Sequence, residues 1–140
     1  MSNATLVEVL GTGTAGSPGS TVVTVQSPAL SSGSVTIAAS ASLSDALDCT
    51  TGRAVGIITP SDLKGITILS AQGSYGGSTY QTLCNLDGSE WNISISVSSF
   101  IPLDFSLFGP VNYIKIRGGT LGTPQTATAT NLVLTIVKAP

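Results

Sequence analysis

Residues 78–117 read STYQTLCNLDGSEWNISISVSSFIPLDFSLFGPVNYIKIR. Inside this stretch Trp91, Ile93, Ile95 and Val97 alternate with Asn92, Ser94, Ser96 and Ser98. Strand side chains point to opposite faces with a period of two, so the pattern predicts a strand with one face in a core and a hydroxyl-rich face outside. Asp87-Gly88 is a turn dipeptide and predicts a hairpin joining Ser78–Asn85 to Glu90–Val97. Downstream, Asp104 can cap a single helical turn, Phe105–Phe108, which Gly109 ends and Pro110 follows. The chain then returns as Val111–Arg117, with Ile114 and Ile116 facing opposite to Tyr113, Lys115 and Arg117. Strand, turn, strand, short corner and strand describe sheets packed face to face.

Outward from this stretch, further strands are expected at Ser34–Ala39, Leu43–Asp48, Ala54–Thr59, Ile66–Ala71 and Asn131–Lys138, separated by Gly-, Pro- and Asp-rich turns. The competing reading at Ser40–Asp48 is a helical turn, since Ala and Leu favour helix. No amphipathic helix of ordinary length appears. In the last strand Leu132, Leu134 and Ile136 would fill a core face, while Val133 and Val137 place apolar groups on the other face. A strand apolar on both faces is usually covered on both. Residues 1–33 are Gly-, Ser-, Thr- and Pro-rich and make a poor core. The expected fold class is all-β: an antiparallel β-sandwich, jelly-roll-like, over residues 34–140, preceded by an extended N-terminal arm over residues 1–33.

Composition narrows the function classes. Charged residues are 9% of the chain, against roughly 25% in an ordinary soluble domain. Ser and Thr therefore carry solubility, which suits a surface largely covered in an assembly. The net charge is -2 and the five basic residues are scattered. Nucleic-acid binding needs clustered cations, so that partner class is excluded as an expectation. No apolar run approaches the roughly 20 residues of a membrane helix, and the amino terminus lacks a basic segment ahead of an apolar one, so no secretory signal is expected. Histidine is absent, which removes the commonest general base and the commonest metal ligand. Cys49 and Cys84 are too far apart in sequence for a metal motif, and two reduced, mostly buried thiols are expected. A disulfide between sheets stays open, and would need close Cα atoms.

Several motifs have plainer readings. Gly11-Thr12-Gly13-Thr14-Ala15-Gly16 matches a dinucleotide fingerprint, but Ser17-Pro18-Gly19-Ser20 and the β-branched Thr21–Val25 follow where a helix would have to start. Asp45 with Asp48, and Asp87 with Glu90, are the carboxylate groups that acid–base or calcium chemistry would use. Asp in an Asp-Gly turn usually serves the backbone instead. No serine has a Gly-x-Ser-x-Gly setting. The expectation is no catalytic residue, cofactor or metal. The sequons at Asn3 and Asn92 are expected by chance at this Ser/Thr content. Candidate interface residues are Thr21, Val22, Val23, Thr24 and Val25, which could add to a sheet edge, the loop aromatic Tyr75, and Val133 with Val137. Tyr75 could stack on a sugar or fit a partner's pocket, though a turn tyrosine lying on its own sheet is the plainer reading. Trp91 is expected in the core.

The body also resembles the small β-sandwich virion proteins of tailed bacteriophages. The residues that carry this are SVTIAASASL from Ser34, GGSTYQTL at Gly76–Leu83, FIPLDFSLFGPVNYIKIRGGT at Phe100–Thr120 and LVLTIV from Leu132. The strongest element is the L-D-x-x-x-F-x-x-V-x-Y-I-K-I-R order from Leu103 to Arg117. What the resemblance implies is a capsid decoration, or cement, protein. It would sit on the outside of the head as a homotrimer and staple neighbouring major capsid proteins, having been made in the host cytoplasm. The alternative it leaves is a tail, neck or head-fibre module that binds host-surface glycans.

Overall fold

In the computed structural model the described residues are 29–140, together with the backbone of two short strands, β1 (Thr5–Leu6) and β2 (Val25–Gln26). The chain divides into a first unit reaching Ala29 and a second spanning Leu30–Ala139. In the first unit β1 and β2 pair antiparallel, Thr5 opposite Gln26 and Leu6 opposite Val25. Gly11–Gly16, Asn3 and Thr21–Thr24 lie outside the described residues.

The second unit is an antiparallel β-sandwich. Its strands are β3 (Ser31–Ile37), β4 (Leu47–Asp48), β5 (Arg53–Ile58), β6 (Ile68–Ser74), β7 (Gln81–Thr82), β8 (Asn92–Ser94), β9 (Phe100–Pro102), β10 (Tyr113–Gly118) and β11 (Leu132–Ala139), with one helical turn, α1 (Phe105–Phe108). One sheet runs β3-β11-β5-β9. The other runs β4-β10-β6-β7, with β8 also on β6. Its first strand begins at Ser31, three residues ahead of the expected Ser34.

The alternation read from sequence explains what each strand buries. Leu132, Leu134 and Ile136 on β11 and Ile116 on β10 are fully buried, and Ile114 nearly so. They meet Val35, Ile37, Ile57, Leu69 and Ala71 in one core. Each fully buried side chain of this size is worth about 1.5–3 kcal/mol relative to exposure. The corner after β9 forms as its residues require. Asp104 accepts a hydrogen bond from the Ser106 N–H at 2.9 Å, and the Gly109 N–H closes the turn on the Phe105 carbonyl at 2.7 Å. The turn drops Phe108 into the core edge-on to Trp91, with ring centroids 4.9 Å apart and planes at 82°.

Three expectations are corrected. The Asp87-Gly88 turn is present, with Gly88 at φ +90°, but it does not join two long paired strands. β7 and β8 both lie along the same edge of β6, Thr82 opposite Gln72 and Asn92 opposite Ser70. They are one interrupted strand, and the residues between them loop out as a small hairpin. The Trp91 N–H donates to the Leu83 carbonyl at 2.9 Å and closes its neck, while the Leu83 N–H keeps hold of Ala71. Secondly, Val97 is exposed, because β8 ends at Ser94 and the chain turns through Ser98 at φ +50°. Thirdly, Cys84 is exposed, and only Cys49 is buried; both are free thiols. Burial pushes the Cys49 thiol up from its ordinary range. Residues 40–48 form no helix: the Ser44 N–H bonds the Ile116 carbonyl at 2.8 Å, and the segment runs beside β10.

Aspartates organise the turns. The Thr50, Ser89 and Ser106 hydroxyls donate to Asp48, Asp87 and Asp104, and the Lys64 N–H donates to Asp62. These hydrogen bonds hold all four carboxyls below the usual range. A carboxyl depressed in the folded state adds stability above its unfolded value, and that contribution is lost as pH falls through the folded values. Urea midpoints are therefore expected to drop from about pH 5 to below about 4, and Asp→Asn at the four positions should flatten that dependence. For the core, Phe108→Ala is expected to destabilise by about 3–5 kcal/mol. A urea melt showing a loss under about 1 kcal/mol would contradict the edge-on packing assigned to it.

Candidate docking surface

The two sheets present outer faces of different chemistry. On the β3-β11-β5-β9 sheet, register sets three rows side by side. Thr36 lies opposite Val133. Ser34, Thr135, Ile58 and Phe100 form the second row, and Ser32, Val137, Gly56 and Pro102 the third. None of these ten residues is charged. Ile58, Phe100 and Val133 are exposed large apolar side chains. The Phe100 ring lies over Gly56, where an added Cβ would come within 2.7 Å of a ring carbon. Only glycine allows that approach, and the ring in turn shields the middle of the sheet.

Val133 and Val137 share this face but not the same environment. Val133 is 48% exposed and Val137 only 8%. Sequence reasoning found both from the double-sided apolar pattern of β11. It missed Ile58 and Phe100, which are cross-strand partners 42 residues apart in the chain. The available signal was the apolar run Gly56-Ile57-Ile58 beside Phe100-Ile101-Pro102, legible only once those segments are known to pair.

The edges of this sheet are blunted. β9 is short and carries Pro102, which has no N–H to offer. On β3 the Thr36 N–H donates to the Asp45 carboxylate at 2.8 Å, and the Asp45 N–H returns to the Thr36 carbonyl at 3.2 Å. Val25 pairs with Leu6 within the first unit.

Tyr75 stands elsewhere, just past the end of β6. It is 86% exposed, so its ring does not lie on the sheet as a turn tyrosine would. Its carbonyl accepts from the Asn112 side chain at 3.0 Å, and Gly77, at φ +88°, packs on the Tyr113 ring. Beside it is a shallow hollow of about 230 Å³ lined by Tyr75, Gln81, Thr82, Cys84 and Pro110 among others. The structure does not bring Tyr75 together with Val133 or Val137 in one row.

The carboxylates weighed for acid–base or metal chemistry are occupied locally. Asp45 holds Thr36, Asp48 holds Thr50, Asp87 holds Ser89, and Glu90 accepts from the Leu121 N–H at 2.9 Å. Among the described residues no three His, Cys, Asp or Glu side chains gather as metal ligands, and no helix is long and apolar enough to cross a membrane.

Burial separates the two valines experimentally. Val133→Lys is expected to change stability by no more than about 0.5 kcal/mol, whereas Val137→Lys should lose more than about 1 kcal/mol because it desolvates a charge. Urea midpoints of the two variants check this, and the reverse order would contradict the face as described. Comparison of the chain with family models, with curated proteins and with solved structures returns no match.

Proposed function

We propose that this chain is a structural binding protein, and specifically a decoration protein that seats its uncharged sheet face on the outside of a phage head and bridges neighbouring major capsid proteins, self-associating as a trimer. The single observation that carries the reading is the charge-free row structure of the β3-β11-β5-β9 face, with Ile58, Phe100 and Val133 exposed on it. Covering such a face removes apolar area from water without stranding a charge.

Size sharpens the reading. Four strands spaced ~4.8 Å apart and about five residues long at ~3.3 Å each give a patch on the order of 300 Å². A stable pairwise interface buries about 800 Å² per partner. The face therefore suits a repeating lattice, where several modest contacts act together, and where the residues ahead of Ser31 add contact area. Selective binding to the assembled state would stabilise that state by mass action.

Tyr75 favours a second reading, in which the sandwich is a head-fibre or tail module that stacks an exposed aromatic on a host-surface sugar. Its exposure beside the hollow is the observation behind it.

Cosedimentation with assembled heads distinguishes these. The wild-type chain is expected to pellet with heads at hundreds of copies each, and Phe100→Glu combined with Val133→Lys should abolish retention while leaving the melting temperature within a few degrees. Tyr75→Ala should retain binding. A handful of copies per particle, or no retention, would overturn the decoration reading.

A further inference from the structure

We propose that Arg117 and Ser70 form the floor of a carboxylate-binding site on the outer face of the β4-β10-β6-β7 sheet. Alternation along β10 puts Ile114 and Ile116 in the core and Tyr113, Lys115 and Arg117 on the outer face. Arg117 is nevertheless only 7% exposed. Its register partner on β6 is Ser70, which is fully buried. The Arg117 Nη1 and the Ser70 Oγ both lack a hydrogen-bond partner among the described residues. Two residues in register on adjacent strands, one of them cationic, thus each carry an unpaired buried polar atom. A buried guanidinium nitrogen left without an acceptor is unfavourable, and an unpaired buried hydroxyl on the register partner adds to the loss.

What would satisfy both is an oxyanion. The unpaired Nη1 offers a charge-assisted N–H donor to a carboxylate oxygen, and the serine hydroxyl offers a second donor. Lys115 lies two residues away on the same face, its ammonium 4.4 Å from the centre of the Tyr80 ring, and raises the local positive potential. The described acids are committed elsewhere: Asp45 holds the Thr36 N–H of β3, and Asp48, Asp62, Asp87, Glu90 and Asp104 hold turn or loop donors. The row through the site runs Leu43, Arg117, Ser70, Asn92. Leu43 is half-buried and Asn92 exposed, so the row opens to solvent at the Asn92 end. A ligand carboxylate reaching in from there would meet the Asn92 amide first, then Ser70 and Arg117. The site is independent of the decoration reading, which concerns the opposite sheet.

The carboxylate can belong to an acidic sugar or to an acidic side chain, and the test separates these sources. The full chain, ¹⁵N-labelled, is titrated with glucuronate, with acetate and with N-acetylglutamate amide, against glucose and chloride at matched ionic strength. Saturable backbone shifts at Ser70, Asn92 and Arg117 are expected with the carboxylates and not with glucose or chloride. Tighter binding of glucuronate points to a sugar acid, and of the glutamate derivative to a protein side chain. Arg117→Met should abolish the shifts. Ser70→Ala, which removes an unpaired buried hydroxyl and should fold at least as stably, is expected to weaken binding about tenfold. The proposal is overturned if no carboxylate gives saturable shifts, or if shifts spread evenly over every basic residue.

Discussion

The inner rows of β10 and β11 hold the molecule together. Ile114 and Ile116 on one sheet, and Leu132, Leu134 and Ile136 on the other, meet in one dry core. Each of these strands is flanked on both sides by neighbours, β10 by β4 and β6, β11 by β3 and β5. The remaining strands are mostly short, several of only two or three residues. Segments that brief have little stability of their own, so their pairing depends on the central strands being fixed first. The same core sets the lid at one end, where α1 turns only far enough to bring Phe108 edge-on to Trp91.

A second constraint is the shortage of charge. Among the described residues the one ion pair joins Lys64 to Asp62 at 3.2 Å, and such surface pairs contribute little. The acids serve the backbone instead. Asp48, Asp62, Asp87 and Asp104 each receive an N–H two residues on, which rigidifies turns that would otherwise leave donors unsatisfied. Two cations lack this kind of local employment. Lys115 rests on Tyr80, and Arg117 is buried facing outward with a nitrogen unpaired. The contrast between the faces follows. The β3-β11-β5-β9 sheet is outwardly uncharged, mixing apolar side chains with serine and threonine hydroxyls, while its opposite carries two of the five basic residues on one strand.

Much of this was legible in the sequence where signals are local. Period-two alternation located the core sides of β10 and β11 residue by residue. The corner at Asp104–Gly109 and the turn at Gly88 were readable because capping and turn chemistry involve neighbours within four positions. What those signals could not supply was pairing. Residues 78–85 and 90–97 read as two arms of a hairpin, yet they pair with each other only near the turn while β7 and β8 both pair with β6, and Val97 leaves the core where the ladder ends. The alternation was right about side-chain direction and silent about which strand lay alongside.

The uncharged face and the unpaired arginine show the same limit at the level of function. Sequence alone established that this chain makes antiparallel sheets, that Val133 and Val137 point away from the core, and that Arg117 points opposite to Ile116. Only the tertiary structure set Phe100 beside Ile58, drew the Phe100 ring over Gly56, buried Val137 but not Val133, and placed Arg117 against Ser70. The physical reason is range: a side chain's direction follows from its own backbone, whereas its neighbours across a sheet come from wherever the chain returns.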